Sequence, residues 1–325
     1  MSPARGGSAK GRSGSGKGRK PPSKAAQKAV EAKRARHAAA SVRKADRPGG
    51  GGRGGRAGGR SGSKGQGGPR GLGGDQVEGR QAVRELLLSG TRRVREVLVA
   101  ADQHDADVLG DIVELAHDLK VPVREVTRTR LLAAARTESP QGVLAHAAEL
   151  PEHDLDELAR RRSARGAPPF LVAVDGVTDP GNLGALLRSA ECAGVTGVVL
   201  PRHRAVHVTP TVTKAAAGAV EHLPMALVGG LPSALRTLRD AGVWVVGLDA
   251  GGDTDLFDLT VADDAVCLVL GAEGTGLSRL VRERCDAVAG IPLLGQVGSL
   301  NVAAAGALAC YEVTRRRLSR ERGSS

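Results

Sequence analysis

The chain has 325 residues, 41% of them hydrophobic but only 1% aromatic, and a formal charge of +12. That length suits roughly two domains, with cores built from Val, Leu, Ile and Ala. No apolar run reaches the ~18 residues of a membrane span and no apolar signal segment opens the chain, so no membrane is expected and a cytoplasmic protein is.

Charge is unevenly placed. Residues 1–71 carry 19 Lys/Arg against Glu31 and Asp46, a net +17, which leaves −5 on the remainder. This segment is Gly, Ser, Lys, Arg, Ala and Pro without an aromatic. It cannot bury enough apolar surface to offset its ordering entropy, so a disordered basic tail is expected, one that attracts a polyanion such as RNA. Residues 23–44, rich in Ala, Lys and Arg, have the composition to turn helical on such a surface. Gly11 to Lys17 briefly has phosphate-loop spacing, but Gly18 stands where Ser or Thr should follow and no strand precedes it.

Residues 72–150 have the pattern of a small α/β domain, with helices over 81–89 and 107–118 and strands over 94–99, 121–126 and 142–147. His104, His117 and His146 do not cluster in sequence. Residues 151–168 form a linker with a short helix over 155–162. Its basic run, Arg160 to Arg162 with Arg165, is either a solvated linker face or a phosphate contact near the domain junction.

Over 169–325 strands alternate with helices. Strands are predicted at 170–174, 197–200, 243–248, 265–270 and 287–291. Helices are predicted at 183–193, 209–218, 233–241, 277–284 and 301–318. Such alternation implies a mostly parallel sheet with helices on both faces. The cysteines, Cys192, Cys267, Cys285 and Cys310, form no Cys-x-x-Cys pair and are expected as reduced core residues. His203 and His207, four apart, are a weak ligand pair, and no metal is expected.

Three segments carry chemistry. In the first, a buried strand ends at Asp175 and a Pro-Gly turn leads to Asn182, with Arg188 six residues on. Asn182 has the position of a helix cap. Arg188 lies among Leu186, Leu187, Ala190 and Cys192, where it calls for an anion or an edge from which to reach solvent. The second is the turn Gly271-Ala-Glu273-Gly-Thr-Gly276 after a strand. Its glycines suit close backbone approach to a ligand, and Glu273 needs a partner, with Arg188 or Asn182 the natural choices. A dinucleotide site is disfavoured, because the spacing is not Gly-x-Gly-x-x-Gly. In the third, Ile291-Pro292 leads through a loop to Ser299-Leu300-Asn301 and an Ala-rich helix. Ser299 is the expected cap there.

In this order and spacing the three segments resemble the SpoU/TrmH family of the SPOUT superfamily. Thr213 to Ala219, followed by Leu223-Pro224, is similar to the family's middle region, and the resemblance runs over 169–318. Glu78-Gly-Arg80 and Ser139-Pro-Gln-Gly142 resemble the small L30e-like RNA substrate-binding domain of the ribosomal branch. The resemblance implies a deep C-terminal trefoil knot and bound S-adenosylmethionine, placed against Gly271, Ile291, Leu293 and Leu300. It also implies a homodimer and methylation of a ribose 2′-oxygen in RNA, foremost a guanosine of 23S ribosomal RNA.

The catalytic group implied is Arg188, with Asn182, Ser299 and Asn301 positioning it or the ribose and Glu273 anchoring them. A guanidinium with a pKa above ~12 is a poor base. Arg188 is therefore expected to clamp the adjoining phosphate and orient the hydroxyl, while phosphate or water takes the proton. The rivals are a methylase of transfer RNA, a thiopeptide-resistance methylase of a ribosomal adenosine, and a non-catalytic ribosome-assembly factor.

Overall fold

A computed structural model describes residues 71–102, 107–202 and 207–323. The basic tail with its 11–17 and 23–44 segments, His104 and His203 lie outside the described residues.

The smaller sheet comprises β1 (Gln76–Glu78), β2 (Val94–Ala100), β3 (Val123–Val126) and β4 (Val143–Ala147), in the order β1-β4-β2-β3. β4 runs antiparallel to β1 and β2, and β2 is parallel to β3. Helices α1 (Arg80–Ser89) and α2 (Asp107–Asp118) lie on it, and α3 (Arg128–Ala134) follows β3. α1 buries Ala82, Val83, Leu86 and Leu87, the spacing of one helical face. It stops at Gly90, whose φ of 58° suits a glycine cap. β1 is too short, and α3 too weakly periodic, to stand out in the sequence.

The larger sheet holds β5 (Phe170–Val174), β6 (Gly197–Pro201), β7 (Met225–Val228), β8 (Trp244–Leu248), β9 (Thr254–Asp255), β10 (Val266–Leu270) and β11 (Ala287–Gly290). Their order is β7-β6-β5-β10-β8-β11-β9, and every pairing is parallel. β5 and β10, side by side in the centre, are buried at all five positions, as uninterrupted apolar runs require when both faces are covered. Phe170, Val172 and Val174 point into one core, which α5 (Pro180–Cys192), α6 (Pro210–Ala215) and α9 (Val302–Gly323) complete. Leu171 and Ala173 point into the other, closed by α4 (Leu155–Arg160), α7 (Leu231–Asp240) and α8 (Arg279–Arg282). The alternation is the period of two of a strand.

The predicted helix over 277–284 shrinks to Arg279–Arg282, with the N–H groups of Leu277 and Ser278 donating to the carboxylates of Asp249 and Asp175. The predicted helix over 209–218 stops at Ala215, where Ala217 and Gly218 take left-handed φ of 49° and 84°. Cys267 and Cys310 are buried and Cys285 is partly so, whereas Cys192 is exposed, against expectation. Burial pushes the thiols of Cys310 and Cys285 up to about 12 and about 11, which keeps them inert near neutrality.

The smaller unit is fastened to the larger. Leu72 and Leu150 join the core above the parallel sheet. Arg92, before β2, grips Glu221 with Nε at 2.9 Å and Nη2 at 2.6 Å, both side chains being at most 2% exposed. Its Nη1 also donates to the carbonyls of Gly74 and Ala148. Beside it, Gly218 packs so closely on Glu85 that a Cβ there would lie 2.5 Å from the Glu85 Cβ. Among the described residues, no helix is long and apolar enough to cross a membrane, and no three His, Cys, Asp or Glu gather as a metal group.

Candidate active site

The carboxyl ends of β8, β10 and β11 release three loops around one cavity of about 280 Å³, the end of a parallel sheet where ligands bind. Its apolar wall comes from Leu248, Leu270, Ile291, Leu293 and Leu300, and Asp249, Glu273 and Ser299 add polar groups. The structure thus places Gly271, Ile291, Leu293 and Leu300, the four expected cofactor contacts, around this single space.

The glycines of the 271–276 turn serve chain closure. Ala272 and Gly276 exchange two backbone hydrogen bonds, at 3.1 and 2.9 Å. A Cβ on Gly271 would run into the backbone of Gly276 and Leu277. Gly276 has φ 65°, and a Cβ there would meet the Asp249 carboxylate at 2.6 Å. Close approach of the turn to itself therefore gives Gly271 a reason of its own, beside its place in the cavity wall.

Three polar side chains meet at Glu273, which lines the cavity. Asn182 Nδ2 donates to Glu273 Oε1 at 3.0 Å, and Asn301 Nδ2 donates to the same oxygen at 2.8 Å and to Asn182 Oδ1 at 2.9 Å. Segments 119 and 91 residues apart from Asn182 are thereby joined. The partner of Glu273 is Asn182, with Asn301 added, and not Arg188. The helix caps also differ from expectation. Asp179 Oδ1, not Asn182, caps α5 by accepting from the Asn182 N–H at 2.6 Å, and Pro180 fills the first turn. Asn301 Oδ1, not Ser299, accepts from Ala303 and Ala304 at the start of α9, at 2.9 and 3.2 Å. The oxygen of the Asn301 side-chain amide is thus held by the start of the helix while its nitrogen reaches the cluster. Ser299 is left exposed in the cavity wall.

Arg188 stands apart from the cluster. Six residues along a helix is ~9 Å of rise and ~240° of rotation, so Arg188 leaves the Asn182 face for the exposed stripe of α5 shared with Gly181, Ala185 and Cys192. It solves its burial problem by reaching solvent at the helix edge, and its guanidinium keeps its donors for an incoming anion.

Sequence reasoning missed Asp249, the residue after β8. It accepts from the N–H groups of Gly251 at 3.0 Å and Leu277 at 3.4 Å and pairs with Arg282 at 3.2 Å. Burial pushes its carboxyl upward, but these backbone bonds and Arg282 outweigh that and hold it below the usual range. A lone Asp at the carboxyl end of a buried strand was the available signal. The depressed folded value makes its stabilisation complete above the unfolded pKa, ~3.9, and lost as pH falls through the folded value. Asp249→Asn should therefore be less stable than the parent at pH 7, with the gap closing in acid. Urea titrations at several pH values measure this, and a constant gap down to pH 2 would contradict it.

Comparison with known proteins agrees with this geometry. The SpoU rRNA Methylase family model matches residues 169–311, and a model for RNA 2′-O ribose methyltransferase substrate binding matches residues 76–153. The 23S rRNA (guanosine-2′-O-)-methyltransferase RlmB of Photobacterium profundum is 37% identical over 249 residues, which span 76% of this chain and 99% of that protein. The SpoU methyltransferase AviRb of Streptomyces viridochromogenes, solved in complex with AdoMet, superposes with a TM-score of 0.62 at 28% identity, covering 75% of this chain and 90% of that one. An AdoMet-bound rRNA methyltransferase from Sinorhizobium meliloti gives a TM-score of 0.61 at 26% identity, covering 74% and 87%. With the Asn182–Glu273–Asn301 cluster seated at the carboxyl edge of the parallel sheet, this chain belongs to the SpoU methylase family.

Proposed function

We propose that this protein transfers a methyl group from S-adenosylmethionine to the ribose 2′-oxygen of a guanosine in 23S ribosomal RNA. The observation that carries the reading is the cavity with the polar cluster joined to its Glu273, drawn from the first turn of α5, the loop after β10 and the start of α9 in the family-matched region. The RlmB relative and the match to the substrate-binding model support ribosomal RNA as the substrate.

The residues present fit the cofactor. Leu248, Ile291, Leu293 and Leu300 offer an apolar slot for an adenine, and the carboxylates of Asp249 and Glu273 suit a cationic group. When bound, S-adenosylmethionine supplies an electrophilic methyl group on a sulfonium that leaves readily. The protein's own tasks are then placement and proton removal. Arg188 clamps the phosphate beside the target ribose and orients its hydroxyl, whose proton passes to that phosphate or to water. Asn182 and Asn301, fixed on Glu273, hold the ribose, and Ser299 adds a hydroxyl at the cavity wall.

The protein works as a cytoplasmic homodimer. Large apolar side chains are exposed at Leu294, Val297 and Leu300 in the loop before α9 and at Leu308 and Tyr311 along it, a patch that a second copy would cover. Joining two chains there also offers Arg188 a cavity to serve, since its own cluster is out of reach. The family's knot belongs to the same proposal, supported by the insertion of β10 between β5 and β8.

The test is to incubate the protein with labelled S-adenosylmethionine and unmodified 23S rRNA and map the product. Label on one guanosine ribose is expected. Label on an adenosine or in transfer RNA alone would replace the substrate assignment, and cofactor binding without transfer to any RNA would favour an assembly factor.

A further inference from the structure

We propose that the groove at the amino ends of β5, β6 and β7 is a docking track for the phosphate backbone of the substrate RNA. The inference rests on the RNA-methylating function proposed above. This groove, of about 590 Å³, lies at the opposite edge of the sheet from the cofactor cavity. A five-residue strand separates the two by ~17 Å.

Arg161, Arg162 and Arg165 line the groove, projecting from the segment that connects the two halves of the chain. Each is exposed and holds at most a surface partner: Arg161 has Glu157 at 3.3 Å, Arg162 has the Gly166 carbonyl at 2.8 Å, and Arg165 has Glu321 at 4.0 Å. Such pairs contribute little and exchange readily. An Arg bound to one acceptor still has donors for the two oxygens of a phosphate.

Arg317 forms the floor. It stacks 5.2 Å from the Phe170 ring centroid and donates to the carbonyls of Ala262, Pro168, Pro169 and Asp264. It therefore adds fixed positive charge without being free to move. Glu191 and Glu321 are the opposing carboxylates in the lining, so the groove remains cationic on a chain whose residues beyond 71 sum to −5.

Position gives the groove its meaning. Cys192 lines it and lies one helical turn beyond Arg188 on the same exposed stripe of α5. His222 lines it too and bonds Glu85 of the smaller unit at 2.9 Å. A strand that leaves Arg188 thus meets the groove next and then the junction with the substrate-binding unit. The three arginines contact nucleotides flanking the target, and they govern RNA affinity without entering the chemical step.

The experiment compares full-length protein with an Arg161→Ala/Arg162→Ala/Arg165→Ala variant and a matching triple Lys variant, measuring 23S rRNA binding from 50 to 200 mM salt. The Ala variant should bind about tenfold more weakly at the low-salt end, with the slope of log affinity against log salt shallower by about 2–3. The Lys variant should keep most of the slope. Cofactor affinity and the single-turnover rate at saturating RNA should be unchanged in both. Unaltered affinity and slope in the Ala variant would overturn the docking track, as would equal loss in the Lys variant. Parent protein that binds RNA but transfers no methyl group would instead refute the proposed function and leave the groove to be judged by its slope.

Discussion

Arg188→Ala should cut methyl transfer by about 10²–10⁴-fold, the range for removing a positioned group that assists proton transfer, while leaving stability and cofactor affinity where they were. The split follows from its placement. Arg188 sits on the exposed stripe of α5 and takes no part in the Asn182–Glu273–Asn301 cluster, so its loss breaks nothing inside the chain. Arg188→Lys should recover only part of the rate, because an ammonium lacks the two-pronged fit to phosphate. Glu273→Ala should behave differently, since it removes the acceptor shared by both asparagines and should raise the RNA requirement as well as slow transfer. Single-turnover kinetics beside thermal melts separate the cases. An Arg188→Ala protein that is unstable, or as active as the parent, would contradict the assignment.

The largest stability effect is expected at the junction of the two units. Arg92→Ala would leave the Glu221 carboxylate buried without its guanidinium and strip the Gly74 and Ala148 carbonyls of a donor. Breaking a buried pair from one side costs about 3–5 kcal/mol. Replacing both partners by apolar residues, Arg92→Met with Glu221→Leu, should recover part of that loss, because no lone charge then remains buried. Urea unfolding measures both variants. A loss below about 1 kcal/mol for Arg92→Ala would mean that the two units are not held together in this way.

The parts of the fold that were legible in the sequence share a physical cause. β5 and β10 are continuous apolar runs because helices cover both of their faces, and such runs stand out without any partner being known. β1 and β9 were not legible, being three and two residues long, too short for a period to register, and the four residues of β7 went unread although β3 and β11 are no longer than it. Asn182, Glu273 and Asn301 could be found because each follows a buried strand or its loop in a recognisable run. Their mutual bonds were only partly foreseeable, and the caps were assigned to the wrong residues because Asp179 and Asn301 compete with Asn182 and Ser299 for the same role within a few positions. Asp249 carries no motif, only a place at the end of β8. The Arg92–Glu221 pair joins positions 129 residues apart and depends wholly on how the two units dock, which no local pattern encodes. The arginines of 161–165 were ambiguous in sequence, since a solvated face and a phosphate contact have the same composition. The groove that they line is what the docking proposal adds to that composition.

The most direct test of the central claim is the chemical position of the transferred methyl group. Full-length protein is incubated with labelled S-adenosylmethionine and unmodified 23S rRNA, and the RNA is hydrolysed in alkali. A methyl group on the 2′-oxygen blocks cleavage at that nucleotide, so the label should appear in an alkali-resistant dinucleotide. Label released as a mononucleotide would place the methyl group on a base and contradict ribose methylation.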